Sequence, residues 1–537
     1  MKMGTTDQLQ GIATWCLFAV VSTLLWSSAK AGKVLLLSVQ VTGHLNEMAI
    51  IGKELVKSGH DVYIVLDKDL KQPMLFKGTG IKYLLYSSVD KNHTKLPLDL
   101  FGDSKSFVGG NVVGYLEAIT TNRDRITNDC SNALYDDNLL HQIKGLTFDI
   151  ALVDGLVHCY HLIPYVLDIP YITISSTVFP YMTRMHPLIA TRPCYIQGDA
   201  NTYLTRLKVF FGSILIEQLP KFFIKENEFV YYAKDKPFSS LYHVVSKSKM
   251  WFIKQNLISD CPRPEMPNVV YIGGMTSGRA NPLPPKFQDL LDTSKQGVIL
   301  FTTGTSVSKL PLNVTKKFMT AFKFVKETVV WRLKLDKKSK LAVPKNVKLF
   351  DWVPQNDILG HPNVKLFITH CGNNGQNEAL YHGVPMIGIP IFGDQFYNAE
   401  RMVHKGYGEQ LDFQHINTEE LVEKIRIVQL VKKYRENAQR ASKLMKWREH
   451  PLDQVTNWVE YILEFGDEEL KTAASNMSLL QFLMFDIFAL IGLVLLFSVY
   501  TLKWCIMSII RRVRRKFKKK TCTGKSPSNQ DTKKKTQ

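Results

Sequence analysis

The chain has 537 residues, 45% of them hydrophobic and 22% charged, with a formal net charge of +20. That length exceeds a single core, and that composition excludes a disordered or collagen-like chain, so two or three packed domains are expected. The charge sits at one end: residues 503–537 hold 13 Lys and Arg against one Asp, while the other 502 residues hold 55 basic and 47 acidic side chains, which argues against nucleic acid as a partner.

In chain order, residues 1–31 read as a signal peptide. Lys2 starts a basic region, Ile12–Trp26 is an apolar run too short to anchor, and Ala29-Lys30-Ala31 is a small-x-small cleavage site. The apolar strand KVLLLSV (Lys33–Val39) follows, then the turn VTGH, a helical run from about Asn46 to Ser58, and the strand DVYIVL. Strand, turn, helix and strand in this order predict a parallel sheet covered on both faces. Further strands are IKYLLY, FDIALVD (Phe148–Asp154) and PYITIS, and residues 198–249 are more helical and aromatic. A Pro- and Gly-rich linker, Cys261–Pro285, precedes a second set of strands: GVILFTTGT, VVWRLK, VKLFDW, VKLFITH and GVPMIGIP. Helices are expected from about Thr418 to Phe465. The alternation predicts an α/β protein of two Rossmann-like domains facing across a cleft, residues 32–280 and 281–478.

Phe482–Leu502 supplies the roughly 20 apolar residues that cross a bilayer, so residues 479–502 are expected to form one transmembrane helix. Asp486 near its start is costly at depth but tolerable near the interface. The basic tail, residues 503–537, marks the cytosolic side and can rest on anionic lipid headgroups, which places the rest of the chain in a lumen or outside the cell. Its end, KKKTQ, has Lys534 and Lys535 where endoplasmic-reticulum membrane proteins carry a dilysine retrieval signal. Five of the eight cysteines fall between the signal and the span, widely spaced and without C-x-x-C, so one or two disulfides are expected and no zinc knuckle. Sequons stand at Asn92, Asn313 and Asn476, the last too near the membrane for use.

The stretch FITHCGNNGQNEALYHGVPMIGIPIFGDQ (Phe367–Gln395) concentrates chemistry around one βαβ unit. His370 ends a strand, where ligands of such sheets bind. Gly372 and Gly375 permit close backbone approach, Asn373 or Asn374 can cap the helix, and its N-terminus suits a diphosphate. Glu378 can accept from two ribose hydroxyls. Asp394 and Gln395 have the donor and acceptor types that grip a sugar. Taken singly, each is as well explained by a turn, a cap or a solvated charge; the joint spacing is what points to a nucleotide sugar.

With Trp352-Val353-Pro354-Gln355 upstream, this spacing resembles the donor signature of the UDP-glycosyltransferases, and most closely the membrane-bound animal UDP-glucuronosyltransferases. PRPEMPNVVYIGGM, FTTGTS, VVWR, the span and the tail extend the similarity over most of the chain. The resemblance implies a GT-B fold, with the acceptor in the first half and the UDP-sugar in the second. It implies that Trp352 stacks on uracil with Gln355 nearby, that His370, Thr305, Asn374 and Gly375 meet the diphosphate, that Glu378 holds the ribose and that Asp394 and Gln395 hold the sugar. It further implies His44 as the catalytic base, oriented by Asp154, in an inverting transfer that needs no metal or other cofactor. Cys371 departs from the family's usual Gly, and FTTGTS from its Ser-x-Gly-Ser.

Glucuronate would favour a cation at the sugar, for which Arg332, Lys254 and Arg263 are candidates; glucose is the near rival, and galactose passed to a lipid another. The expected acceptor is a lipophilic molecule with a hydroxyl, and this branch often self-associates. Two rival readings are a metal-dependent transferase using Asp67-Lys68-Asp69, and a membrane-tethered lectin or lipid-binding protein without catalysis.

Overall fold

A computed structural model describes residues 31–69, 76–87, 131–176, 183, 227–230, 232–233, 235–237, 240–260, 262, 265–304, 307, 310–335, 341–391 and 393–522. Residues 1–30 of the expected signal peptide, the Asn92 sequon, Thr305, Arg263 and all of residues 198–226 lie outside these. The chain divides into two units, up to Thr472 and from Ala473.

The first unit holds two parallel sheets. In the first sheet the strands are β1 (Lys33–Leu37), β2 (Asp61–Asp67), β3 (Lys82–Tyr86), β4 (Ile150–Asp154), β5 (Tyr171–Ser175), β6 (Met250–Ile253) and β7 (Val269–Tyr271), in spatial order β3-β2-β1-β4-β5-β6-β7. In the second they are β8 (Val298–Thr302), β9 (Thr328–Arg332), β10 (Val347–Phe350), β11 (Val364–Thr369), β12 (Met386–Gly388) and β13 (Gly408–Gln410), ordered β10-β9-β8-β11-β12-β13. Each order reverses direction once, between β1 and β4 and between β8 and β11. Such switch points open a crevice at the carboxyl ends of the strands.

The strands are apolar without alternation because helices cover both faces. Along β1 the side chains divide by parity: Val34 and Leu36 enter one core and Leu35 and Leu37 another. Helix α1 (Thr42–Lys57) packs Leu45, Met48, Ile51 and Leu55 into the first core. Helix α2 (Asp137–Leu146), capped by Asp136 accepting from the Leu139 N–H at 2.9 Å, adds Leu139 and Ile143 to the second. In the second sheet, α3 (Leu312–Phe322), α4 (Asn373–His382), α5 (Gln395–His404), α6 (Thr418–Leu430) and α7 (Lys432–Trp447) take the covering places. Asn313 is exposed on the first turn of α3.

One helix does not stay where its place in the sequence suggests. α8 (Pro451–Phe465) follows the second-half helices, yet its Val455, Val459 and Ile462 are buried in the first-sheet core beside β1 and α1. Each such side chain contributes about 1.5–3 kcal/mol on burial. Amphipathic spacing marks the helix as packed but does not say on which sheet. The chain therefore passes between the halves twice. Gly273, Gly274 and Ser277 of one passage and Arg448 to Pro451 of the other line the same small cavity, and His450 Nε2 donates to the Ser277 carbonyl at 3.4 Å.

The second unit is dominated by α9 (Phe485–Cys522), a helix long and apolar enough to cross a membrane. It starts later than the expected residue 479, because Met484 takes a left-handed φ of 57° and ends the short turn before it. Asp486 falls in its first turn, where the helix dipole favours an acidic side chain.

Candidate active site

His44 lies on a helix rather than in the turn that was expected. α1 begins at Thr42, four residues early, because extended Val41 turns its carbonyl to the Leu45 N–H at 2.9 Å. His44 is thereby fixed on the first turn, above the β1/β4 switch point. Its Nδ1 is 2.6 Å from Asp154 Oδ2, at the end of β4. Asp154 is 2% exposed, its Oδ1 accepts from the Leu156 N–H at 3.0 Å, and Ser38 Oγ lies 3.3 Å from Oδ2. Burial alone would raise this carboxyl, but His44, Lys254 and the Leu156 amide outweigh it and hold it well below the usual range. An ionised Asp154 accepts the Nδ1 proton, which leaves the lone pair on Nε2 to serve as a base.

On the second sheet, His370 follows β11 at the other switch point. Its ring is held between two glycines: a Cβ at Gly304 would lie 2.4 Å from Nε2, and one at Gly372 2.5 Å. Arg332, ending β9, donates to the Gly304 carbonyl. Burial first, and then Arg332, push the imidazole down to about 4, so it is neutral at physiological pH. Nδ1 of His370 is buried without a partner among the described residues. Arg332, a candidate for the sugar carboxylate, thus stands at the His370 end of the site.

Gly372, not Asn373 or Asn374, is the N-cap of α4, with no side-chain hydrogen bond capping the helix. Both asparagines instead reach the first half. Asn373 Nδ2 donates to the Lys254 carbonyl, and Asn374 Nδ2 to Glu47 Oε1 at 2.7 Å. The backbone at Gly375 is close enough to Gln355 that a Cβ would lie 3.2 Å from Nε2. Cys371 takes φ 65°, the left-handed conformation that glycine adopts without strain. Its thiol fills the space over Gly388, and burial raises it to about 12, so it is unreactive.

Gln355 connects two chemistries, accepting from Thr302 Oγ1 at 2.5 Å and donating to Glu378 Oε2 at 2.8 Å. Glu378 is pushed up to about 7 by burial, partly offset by Gln355. Trp352 is 64% exposed and offers an open ring face near Gln355. Asp394 is exposed, with Oδ2 accepting from Asn398 Nδ2 at 2.8 Å; Gln395 is buried, with Oε1 accepting from the Ile391 N–H at 2.9 Å. Asp67, of the D-x-D string, is buried and turns Oδ1 to the Asp69 N–H at 2.9 Å, as in an Asx turn.

The raised Glu378 carboxyl gives a pH prediction. With a folded value of about 7 against 4.5, the protonated form favours the fold. This contribution is present below about 4.5 and fades as pH rises through about 7. A ligand that needs the carboxylate binds more weakly below about pH 7. UDP affinity by calorimetry should rise from pH 6 to 8 in the native chain and stay flat in Glu378→Gln.

Two side chains that the sequence did not single out join the site. Glu47 lies one turn beyond His44 on α1, a spacing visible in HLNE; Asn256 donates to Asn377 Oδ1 of α4 at 2.6 Å, a contact no local spacing signals. Lys254, the second candidate for the sugar carboxylate, pairs with Glu47 Oε2 at 2.8 Å.

Residues 32–521 match the family model described as "UDP-glucoronosyl and UDP-glucosyl transferase". Among curated relatives, UDP-glucuronosyltransferase 2B15 of Homo sapiens is 28% identical over 519 residues, 92% of this chain and 96% of its own length. UDP-glucuronosyltransferase 1A1 of Homo sapiens is 30% identical over 497 residues, 88% of this chain and 91% of its own. Among solved structures, the glycotransferase of kitacinnamycin superposes with a TM-score of 0.58 at 18% identity, covering 80% of this chain and 99% of that one. At that identity it speaks for the fold, which is GT-B. The two opposed sheets and the match along nearly the whole chain place this protein in the UDP-glucuronosyl and UDP-glucosyl transferase family, as a glycosyltransferase.

Proposed function

We infer that the protein transfers a hexosyl group, glucuronate or glucose, from a UDP-sugar to a hydroxyl of a lipophilic small molecule, with inversion at the anomeric carbon. The observation that carries this reading is the 2.6 Å contact of His44 Nδ1 with Asp154. His44 Nε2 takes the acceptor's hydroxyl proton, and Asp154 stabilises the imidazolium that results. The oxygen bonds to the anomeric carbon as the bond to the UDP oxygen breaks, and UDP leaves with the electron pair. Its charge meets the uncapped N–H groups of α4 at Asn374 and Gly375, the neutral His370 and the hydroxyl of Thr305. Trp352 stacks on uracil, Gln355 steadies Glu378 against the ribose, and Asp394 and Gln395 hold the sugar. No metal takes part.

In this reading residues 1–31 are a signal peptide, Asn92 and Asn313 carry glycans, and α9 anchors the chain in the endoplasmic-reticulum membrane with the catalytic unit in the lumen. The test is UDP release by the detergent-solubilised full chain, with UDP-glucuronate and UDP-glucose against phenols and steroids, with and without a chelator. Acceptor-dependent, chelator-insensitive release is expected. Release abolished by chelator would overturn the metal-free mechanism, and UDP binding without release from either donor would overturn the transfer.

A further inference from the structure

We propose that Glu47 is a positioning residue for the transfer: with Asn374 it forms a brace that sets the distance between His44 and the anomeric carbon of the donor. The proposal rests on the transferase reading above and adds a residue to it.

The base and the donor helix belong to different sheets. His44 is on the first turn of α1, whereas the N-terminus of α4, at Asn374 and Gly375, faces the diphosphate in that reading. Attack needs the reacting atoms within about 3–3.5 Å of each other and aligned, so α1 and α4 must be held in register. Glu47 lies three residues beyond His44 on α1, one turn on and on the same side of the helix. Its Oε1 accepts from Asn374 Nδ2 at 2.7 Å. The path from the base to the donor helix is thus one helical turn and one hydrogen bond.

Each end of the brace has a further partner. Glu47 Oε2 is 2.8 Å from the Lys254 ammonium, just after β6. The Lys254 carbonyl accepts from Asn373 Nδ2, so Glu47, Lys254, Asn373 and Asn374 close a ring across the two halves. Arg401 of α5 is fully buried and donates from Nη2 to Asn373 Oδ1 at 2.7 Å. That bond orients the Asn373 amide with its Nδ2 toward Lys254. Burial would lower the Lys254 ammonium, but Glu47, Asp154 and Asp394 outweigh it and raise it. Glu47 and Lys254 are 9% and 4% exposed. Water competes poorly for these bonds, and swinging out either head group would strand the other's charge.

Neither end of the brace is needed by its own helix. Asn374 caps nothing, because Gly372 is the N-cap of α4, and Ala is the better helix former inside a helix. The core face of α1 is supplied by Leu45, Met48, Ile51 and Leu55. What Glu47 and Asn374 have in common is each other, and the bond between them fixes one half on the other beside the reacting groups.

The test uses the solubilised full chain, with kcat expressed per UDP site counted by calorimetry. Asn374→Ala keeps the backbone N–H groups for the diphosphate, so UDP affinity should stay within about twofold. Its kcat should fall about tenfold, part of the roughly 100-fold that a 1 Å misplacement can bring. Glu47→Ala should lose about as much, and the double variant no more than either single one, because both cut the same bond. Losses that multiply, or an unchanged kcat in Asn374→Ala, overturn the proposal. So does a loss of UDP affinity in place of kcat, which would make the Asn374 side chain a diphosphate ligand. Should Glu47→Ala not fold, Asn374→Ala alone decides, by its split between kcat and affinity. Failure of the transferase reading shows separately, as UDP binding by the native chain with no acceptor-dependent release from any donor.

Discussion

Replacing His44 by Ala lowers acceptor-dependent UDP release by about 100- to 10,000-fold, the usual contribution of a positioned general base. UDP affinity stays within about twofold, because the side chain's hydrogen-bond partner is Asp154 of its own half rather than a donor-binding residue. The fold tolerates the change: Asp154 keeps the Leu156 N–H, Ser38 and the nearby Lys254, so no buried carboxylate is stranded. Asp154→Asn should produce much of the same loss, and the double variant little more than the worse single one, since the two residues act as a unit. Steady-state kinetics and calorimetry on the same preparations check this. Unchanged turnover in His44→Ala would remove the base from the mechanism.

Gly304→Ala has the next largest effect, through the donor. Gly304 has φ 73°, and its absent Cβ would stand 2.4 Å from His370 Nε2. The backbone term alone costs about 1–2 kcal/mol. The clash adds a displacement of the imidazole and of the Arg332 contact to the Gly304 carbonyl, and a shift of about 1 Å near a reacting group can cost about 100-fold. The expected result is a fall of that order in kcat/KM with a raised donor KM. Gly393→Ala is the control: φ is 63°, but a Cβ there meets nothing within 4 Å, so stability falls by the backbone term alone. An unchanged donor KM in Gly304→Ala would show that His370 is not part of donor binding.

The strands were legible because strands buried on both faces are runs of apolar residues, and KVLLLSV, FDIALVD and VKLFITH all coincide with them. The start of α1 was not, because Gly43 reads as a breaker; extended Val41 and its carbonyl bond to Leu45 begin the helix ahead of it. The Asn373 and Asn374 side chains were misread as caps because their partners, Lys254 and Glu47, lie far away in sequence. Local spacing records which residue types meet within one βαβ unit. It cannot record which carboxylate of the opposite half they meet, and that is where the charge balance of the site is decided. Cys371 was legible as a departure, but only the packing over Gly388 accounts for a side chain in a glycine conformation.

The return of α8 to the first sheet has a mechanical consequence. A single linker would let the halves swivel in any direction. Two peptide passages running side by side, with Ser277 bonded to His450, remove the twisting freedoms and leave one soft axis, like the pin of a door. Motion about that axis would part Glu47 from Asn374 and Lys254 from Asn373 together, so in the proposed transfer the release of product and the separation of the base from the donor helix would be a single movement.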